Sequence, residues 1–218
     1  MFIGHFGAAF AAKKITKKPS LGTLFMAAQF VDLLWPLFLL LGIESVKIEP
    51  GNTAVTPLNF INYPFTHSLL GVVVWGVLFG FIYFLIKKDK KTSVVLGLLV
   101  LSHWVLDLLV HRPDLPVIPG VDLKVGLGLW NSVSLTIILE SIIFFGGVYL
   151  YSALTKAQNK KGVYSFLGLV VFLALVYAAN LFGSPPPSEE AIGYVGLSQW
   201  LIVAWGYWID RNRVSVLS

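Results

Sequence analysis

His103, Asp107 and His111 recur every four residues in the stretch Ser102 to Asp114, and the first two lie inside a strongly apolar run. On an α-helix each step of four rotates a side chain by about 40° and raises it by about 6 Å, so the three project from one face as a ladder. A histidine and a carboxylate one turn apart can grip a single ion, the i, i+4 geometry that zincin helices use. Polar groups in a helix otherwise suited to hydrocarbon are costly to keep there, which marks them as functional.

The chain has four histidines. His5 lies in the apolar opening MFIGHFGAAFAA, and His67 sits in Tyr63-Pro64-Phe65-Thr66-His67-Ser68, at the entry to a Leu-rich run. Asp32 and Glu140 fall near the middle of two other apolar runs. A lone carboxylate at a bilayer centre costs about 2.5–3.5 kcal/mol on insertion scales, so Asp32, Asp107 and Glu140 together call for shared cations. A metal ion neutralises them most directly, with His103 as a nitrogen ligand. If residues 1–12 form a buried half-helix ending at Lys13, His5 lies about eight residues, or about 12 Å, deep and can meet the others.

Simpler readings stay open at each position. Asp32 and Glu140 could hydrogen-bond between helices, and His67 could be an interfacial residue. His111, Arg112 and Asp114 could form a surface ion-pair cluster of little energetic weight. Thr66 and Ser68 read as helix-start hydroxyls around the site, and Asn180 as an interhelical hydrogen-bonder.

The elements that must position these residues follow from composition. The 218-residue chain is 56% hydrophobic and only 12% charged, with mean hydropathy +0.79; a soluble domain carries about 25% charged residues. Continuous apolar runs of about 20 residues predict an all-α, polytopic transmembrane helix bundle rather than a barrel. The expectation is a single transmembrane domain over 1–218, with six spans near 21–42, 65–86, 93–111, 130–154, 162–182 and 191–209, plus the N-terminal half-helix. Residues 2–12 do not read as a signal peptide, because the lysines follow the apolar stretch rather than precede it. Of the 16 basic residues, all but Lys47, Arg112 and Lys124 fall in segments that share one side of this topology. The positive-inside rule then puts both termini in the cytoplasm. That clustering accounts for the net charge of +5 through topology, so no nucleic-acid partner is expected. Trp35, Trp130, Trp200, Trp205, Tyr207 and Trp208 are expected to form interfacial belts. The absence of cysteine removes disulfides, thiolate metal sites and cysteine nucleophiles.

An N-terminal histidine, Thr66-His67-Ser68 leading into a Leu-rich span, and a later Ser102-His103-x-x-x-Asp107 resemble the YdjM-like inner-membrane metal-dependent hydrolases. That family is in turn similar to zinc-dependent phospholipase C and P1 nuclease. The shared segments are His5, Asp32, Thr66-His67-Ser68, His103 and Asp107, all in the first half of the chain. Tyr63-Pro64-Phe65 stands where a basic residue would precede Thr66, and the tail Val110-His111-Arg112-Pro113-Asp114-Leu115-Pro116 points to a distinct subgroup. The resemblance implies a membrane-embedded metal site, hydrolase activity and a bacterial inner (plasma) membrane.

Three functions remain in play. As a hydrolase, His5, Asp32, His67, His103 and Asp107 would bind one or two divalent ions, zinc first among them. Asp107 and Glu140 would be the catalytic carboxylates, and Thr66, Ser68, His111, Arg112 and Asp114 would line the surroundings or mouth of the site. The bond would be a phosphoester of a lipid or lipid-linked substrate, cleaved by a metal-activated water, with Arg112 or Lys124 near an anionic headgroup. As a transporter, the same Asp/His cluster would pass protons or ions, although Val94 to Leu101 offers no polar continuation toward the cytoplasm. As a non-catalytic subunit, the polar cluster would brace helices within an oligomer or a larger membrane complex.

Overall fold

The opening apolar stretch folds as a short helix, α1 (Ile3–Ala12), in which every residue but Ala8 and Ala11 is buried. It ends where Lys13, Lys14, Lys17 and Lys18 begin. The computed structural model describes residues 1–216. Ser20 caps the next helix by accepting from the Thr23 amide, and α2 (Leu21–Ala28) runs to Gln29, where the chain bends by 57° into α3 (Phe30–Leu40). A hairpin of β1 (Ser45–Ile48) and β2 (Leu58–Asn62) follows, paired antiparallel with Val46 opposite Phe60. One helical turn, α4 (Pro64–His67), then gives way to α5 (Leu69–Lys87), which Ser68 caps through the Gly71 amide.

Asp89 caps α6 (Lys90–Val110). The two-residue strands β3 (Leu115–Pro116) and β4 (Lys124–Val125) pair beyond it. Then come α7 (Val133–Leu154) and α8 (Lys160–Phe182), joined by β5 (Thr155–Ala157), and the shorter α9 (Glu189–Leu197) and α10 (Gln199–Asp210). A final strand, β6 (Arg213–Ser215), pairs antiparallel with β5.

Among the described residues four helices, α5 to α8, are long and apolar enough to cross a membrane, and the bent pair α2–α3 makes a fifth if counted as one span. The expectation of six spans is therefore corrected. The segment expected to span at 191–209 breaks at Ser198, whose hydroxyl donates to the Val195 carbonyl at 2.6 Å and competes with the helical ladder there. The two broken segments pack on each other. α9 rests on α3, where Gly196 and Gly193 leave room for Pro36 and Leu40, and α10 crosses α2 at Gly22 and Gly206.

The core lies around α1. Phe10 sits among Phe25, Phe144, Tyr151 and Phe166, with ring centroids 5.0 to 6.2 Å apart. α1 also lies against α7 with no side chain between them at Gly7 and Gly147: a Cβ on Gly7 would meet the Ile143 carbonyl oxygen at 2.5 Å. Such small-residue crossings are how helices approach closely in lipid, where no hydrophobic force separates helix from solvent. The same device brings α5 to α6, with Gly76 against the Gly97 carbonyl.

The basic residues gather at one end of the bundle. Lys18 pairs with Asp89 at 2.8 Å, Lys13 with Asp210 at 3.3 Å, and Arg213 bonds Thr155 on β5. The hairpin β1–β2 and the β3–β4 loop, which carry Lys47 and Lys124, come before α5 and after α6, at the ends remote from Lys87 and Lys90.

Candidate metal centre

α6 carries His103 and Asp107 one turn apart, both almost completely buried. Around them α1 brings His5, the first turn of α3 brings Asp32, and α4 brings His67. His103 Nε2 lies 3.2 Å from Asp107 Oδ2 and 3.6 Å from Asp32 Oδ2. His67 Nε2 lies 3.2 Å from Asp32 Oδ1 and 3.9 Å from Asp107 Oδ2. His5 Nε2 is 3.1 Å from Asp107 Oδ1, and its ring stacks on that of His103 with centroids 3.6 Å apart.

The far side of two imidazoles decides what faces this centre. His103 Nδ1 is 2.8 Å from the Ala28 carbonyl, an acceptor only, so Nδ1 carries the proton. His67 Nδ1 is 2.7 Å from Thr66 Oγ1, and that hydroxyl donates to Glu44 Oε2 at 2.6 Å. Glu44 is itself held by the Phe65 and Thr66 amides at 2.8 and 2.9 Å. Thr66 therefore accepts from His67 Nδ1–H. Both Nε2 atoms then face carboxylate oxygens, either as imidazolium N–H donors or as lone pairs with a metal ion between them.

Two sets of ligand atoms, His5–His103–Asp107 and Asp32–His67–His103, each lie within 4.8 Å of one another, and both could hold a metal ion. A tetrahedral ion with bonds of about 2.1 Å keeps its ligand atoms about 3.4 Å apart. His5 and His103 approach Asp107 at 3.1 and 3.2 Å, and His67 and His103 approach Asp32 at 3.2 and 3.6 Å, so each set of three, with His103 common to both, could hold a divalent ion. The nitrogen-and-carboxylate donor set, with the second nitrogens of His67 and His103 anchored, is the construction of a metal site. His5 Nδ1 and His103 Nε2 are buried without a hydrogen-bond partner among the described residues. The Met1 nitrogen lies 2.6 Å from Asp107 Oδ1.

The other residues singled out in the sequence occupy different places. Glu140, buried on α7, accepts from the Phe2 and Gly4 amides at 2.9 and 3.2 Å. It thereby grips the start of the helix that carries His5. Ser68 serves as the α5 cap. His111, Arg112 and Asp114 form a separate network beyond α6. Asp114 Oδ1 faces His111 Nδ1 at 3.0 Å and accepts from Tyr63 at 3.3 Å, while Oδ2 accepts from Arg112 Nε at 3.0 Å. Arg112 also donates to Asn59 on β2. Burial alone would push the Asp114 carboxyl up, but His111 and Arg112 outweigh it and hold it below the usual range. Burial lowers His111 and raises Tyr63. Tyr63 links the two networks, its ring 5.4 Å from His67 and 6.1 Å from His111.

Two of the tryptophans expected at the membrane interface lie beside these histidines. Trp35 is buried, with its ring centroid 6.3 Å from His67, and Trp130 lies 4.3 Å from His111. Glu44, Tyr63 and the Ala28 carbonyl were not legible as site groups, because none has a periodic relation to the ligands. Comparison with family models, with curated proteins and with solved structures finds no match to this chain.

Proposed function

We propose that the chain is an integral membrane, metal-dependent hydrolase of the bacterial inner membrane, acting on a phosphoester of a lipid or lipid-linked substrate. One observation carries the reading. The Nε2 atoms of His67 and His103, each ring fixed by a hydrogen bond at its Nδ1, converge on the carboxylates of Asp32 and Asp107. His67, His103, Asp32 and Asp107 would hold the ion, with His5 completing the set through Asp107. A zinc-like ion supplies Lewis acidity, lowering the pKa of a coordinated water toward 7 and polarising the scissile bond.

In this reading the protein's own groups hold the ligands rigid and handle protons. Glu44 and Thr66 keep His67 in one tautomer, and the Ala28 carbonyl does the same for His103. Glu140 fixes α1 and is the buried carboxylate assigned to accept a proton from the attacking water. The lysine-rich end faces the cytoplasm, following the positive-inside rule, and the hairpin end faces outward.

The test is hydrolysis by the purified chain, supplied with Zn²⁺, of bis(4-nitrophenyl) phosphate and of phospholipid in mixed micelles. Turnover that His103→Ala abolishes supports the reading. Absence of turnover on both substrates with the metal bound contradicts it.

A further inference from the structure

Beyond the metal cluster lies a second polar space, a cavity of about 480 Å³ lined by Asn59, Phe60, Ile61, Arg112, Pro113, Asp114 and Lys124. Two cations and one carboxylate face it, and the carboxylate is already engaged. Asp114 takes hydrogen bonds on both oxygens, from Tyr63 and His111 on one and from Arg112 on the other. Arg112 is held by Asp114 through Nε and by Asn59 through Nη2, which leaves Nη1 without a partner among the described residues. Lys124 likewise has no side-chain partner among them, while its backbone is fixed by pairing with Pro116. A pre-oriented guanidinium edge and an ammonium across one cavity are the donors that a phosphate takes.

The rim says where that phosphate comes from. The apolar run of α6 stops at Val110, so residues 111–114 follow directly on the end of a membrane-length helix. Ile61 lines the cavity and is exposed, and Ile118, Val121, Leu123 and Leu127, in the segment that carries the cavity's Lys124, are exposed as well, Leu127 to 72%, although none belongs to a long helix. Exposed apolar side chains around a basic pocket at the end of a span belong in the headgroup and acyl boundary of a bilayer.

We infer that this cavity is a headgroup site for an anionic membrane lipid, with Arg112 and Lys124 holding its phosphate and the apolar rim seated among the acyl chains. Asp114 on its wall accepts from Tyr63, whose ring lies 5.4 Å from that of His67. A lipid held there is positioned as the substrate of the metal cluster, an assignment of role that rests on the hydrolase reading.

The test titrates short-chain phosphatidic acid and inorganic phosphate into the full chain in detergent, as isolated and after chelator treatment, with binding read by calorimetry. Phosphatidic acid is expected to bind in both states and more tightly than inorganic phosphate. Lys124→Gln, which removes no structural contact, should weaken it about five- to tenfold with the thermal midpoint unchanged. Arg112→Gln should weaken it further, and Lys90→Gln, at the opposite end, should leave it unchanged. Equal affinity for inorganic phosphate would make the cavity a site for a soluble anion and overturn the lipid assignment. Undiminished phosphatidic acid binding in both Lys124→Gln and Arg112→Gln would overturn the site. Failure of the hydrolase reading shows separately, as isolated protein without metal whose phosphatidic acid binding still depends on Arg112 and Lys124. The headgroup site then stands and its substrate role falls.

Discussion

Thr66 donates its hydroxyl proton to Glu44 across 2.6 Å and stands 2.7 Å from His67 Nδ1, so Glu44 dictates the tautomer of a histidine it does not touch. Two hydrogen bonds in series, Glu44 to Thr66 and Thr66 to His67, with two backbone amides anchoring Glu44, aim His67 Nε2 at Asp32 and Asp107. Outer partners of this kind typically change metal affinity by about 10- to 100-fold. Glu44→Gln is therefore expected to lower affinity for Zn²⁺ within that range, as read by competition with a chromophoric chelator. Thr66→Val should act in the same direction.

The close crossing of α1 on α7 makes a second prediction. Gly7→Ala places a methyl 2.5 Å from the Ile143 carbonyl oxygen, and the backbone there has no soft side chain that could yield. A loss of about 1–3 kcal/mol is expected, measured as a lower thermal midpoint in detergent, together with reduced metal content because α1 carries His5. Gly146→Ala is the control. Its Cβ meets nothing within 4 Å, and the change should be neutral or mildly stabilising through helix propensity.

At the basic end, the Lys18 hydrogen bond, followed by those from Thr92, holds the Asp89 carboxyl down at about 2. A carboxylate depressed in the folded state contributes stability above its unfolded pKa of about 3.9, and that contribution is lost as pH falls toward the folded value. The thermal midpoints of wild type and Asp89→Asn should differ at neutral pH and converge between about pH 4 and pH 2. A difference that persists unchanged at pH 2 would show that Asp89 acts through shape rather than charge.

What the sequence could reveal divides along physical lines. His103 and Asp107 stand out because helical periodicity puts them on one face within a single apolar run. His5, Asp32 and His67 stand out because polar groups are rare there. The structure brings all five into one cluster. Glu44 and Tyr63 reach the site from the flanks of a β-hairpin, a placement that only the tertiary fold determines. The span count failed because hydropathy averages over a window and does not register a local break. Gln29 interrupts a helix between the apolar Ala28 and Phe30, and Ser198 with Gln199 interrupts an otherwise apolar run between Leu197 and Trp200. The hairpins escaped notice because strands of two to five residues carry almost no period.

The most direct measurement of the central claim is metal content by inductively coupled plasma mass spectrometry on the purified wild type, His103→Ala and Asp107→Ala. Metal bound to wild type and lost from both variants, with helix content retained by circular dichroism, is the predicted result. Metal content unchanged in both variants would contradict the centre described here.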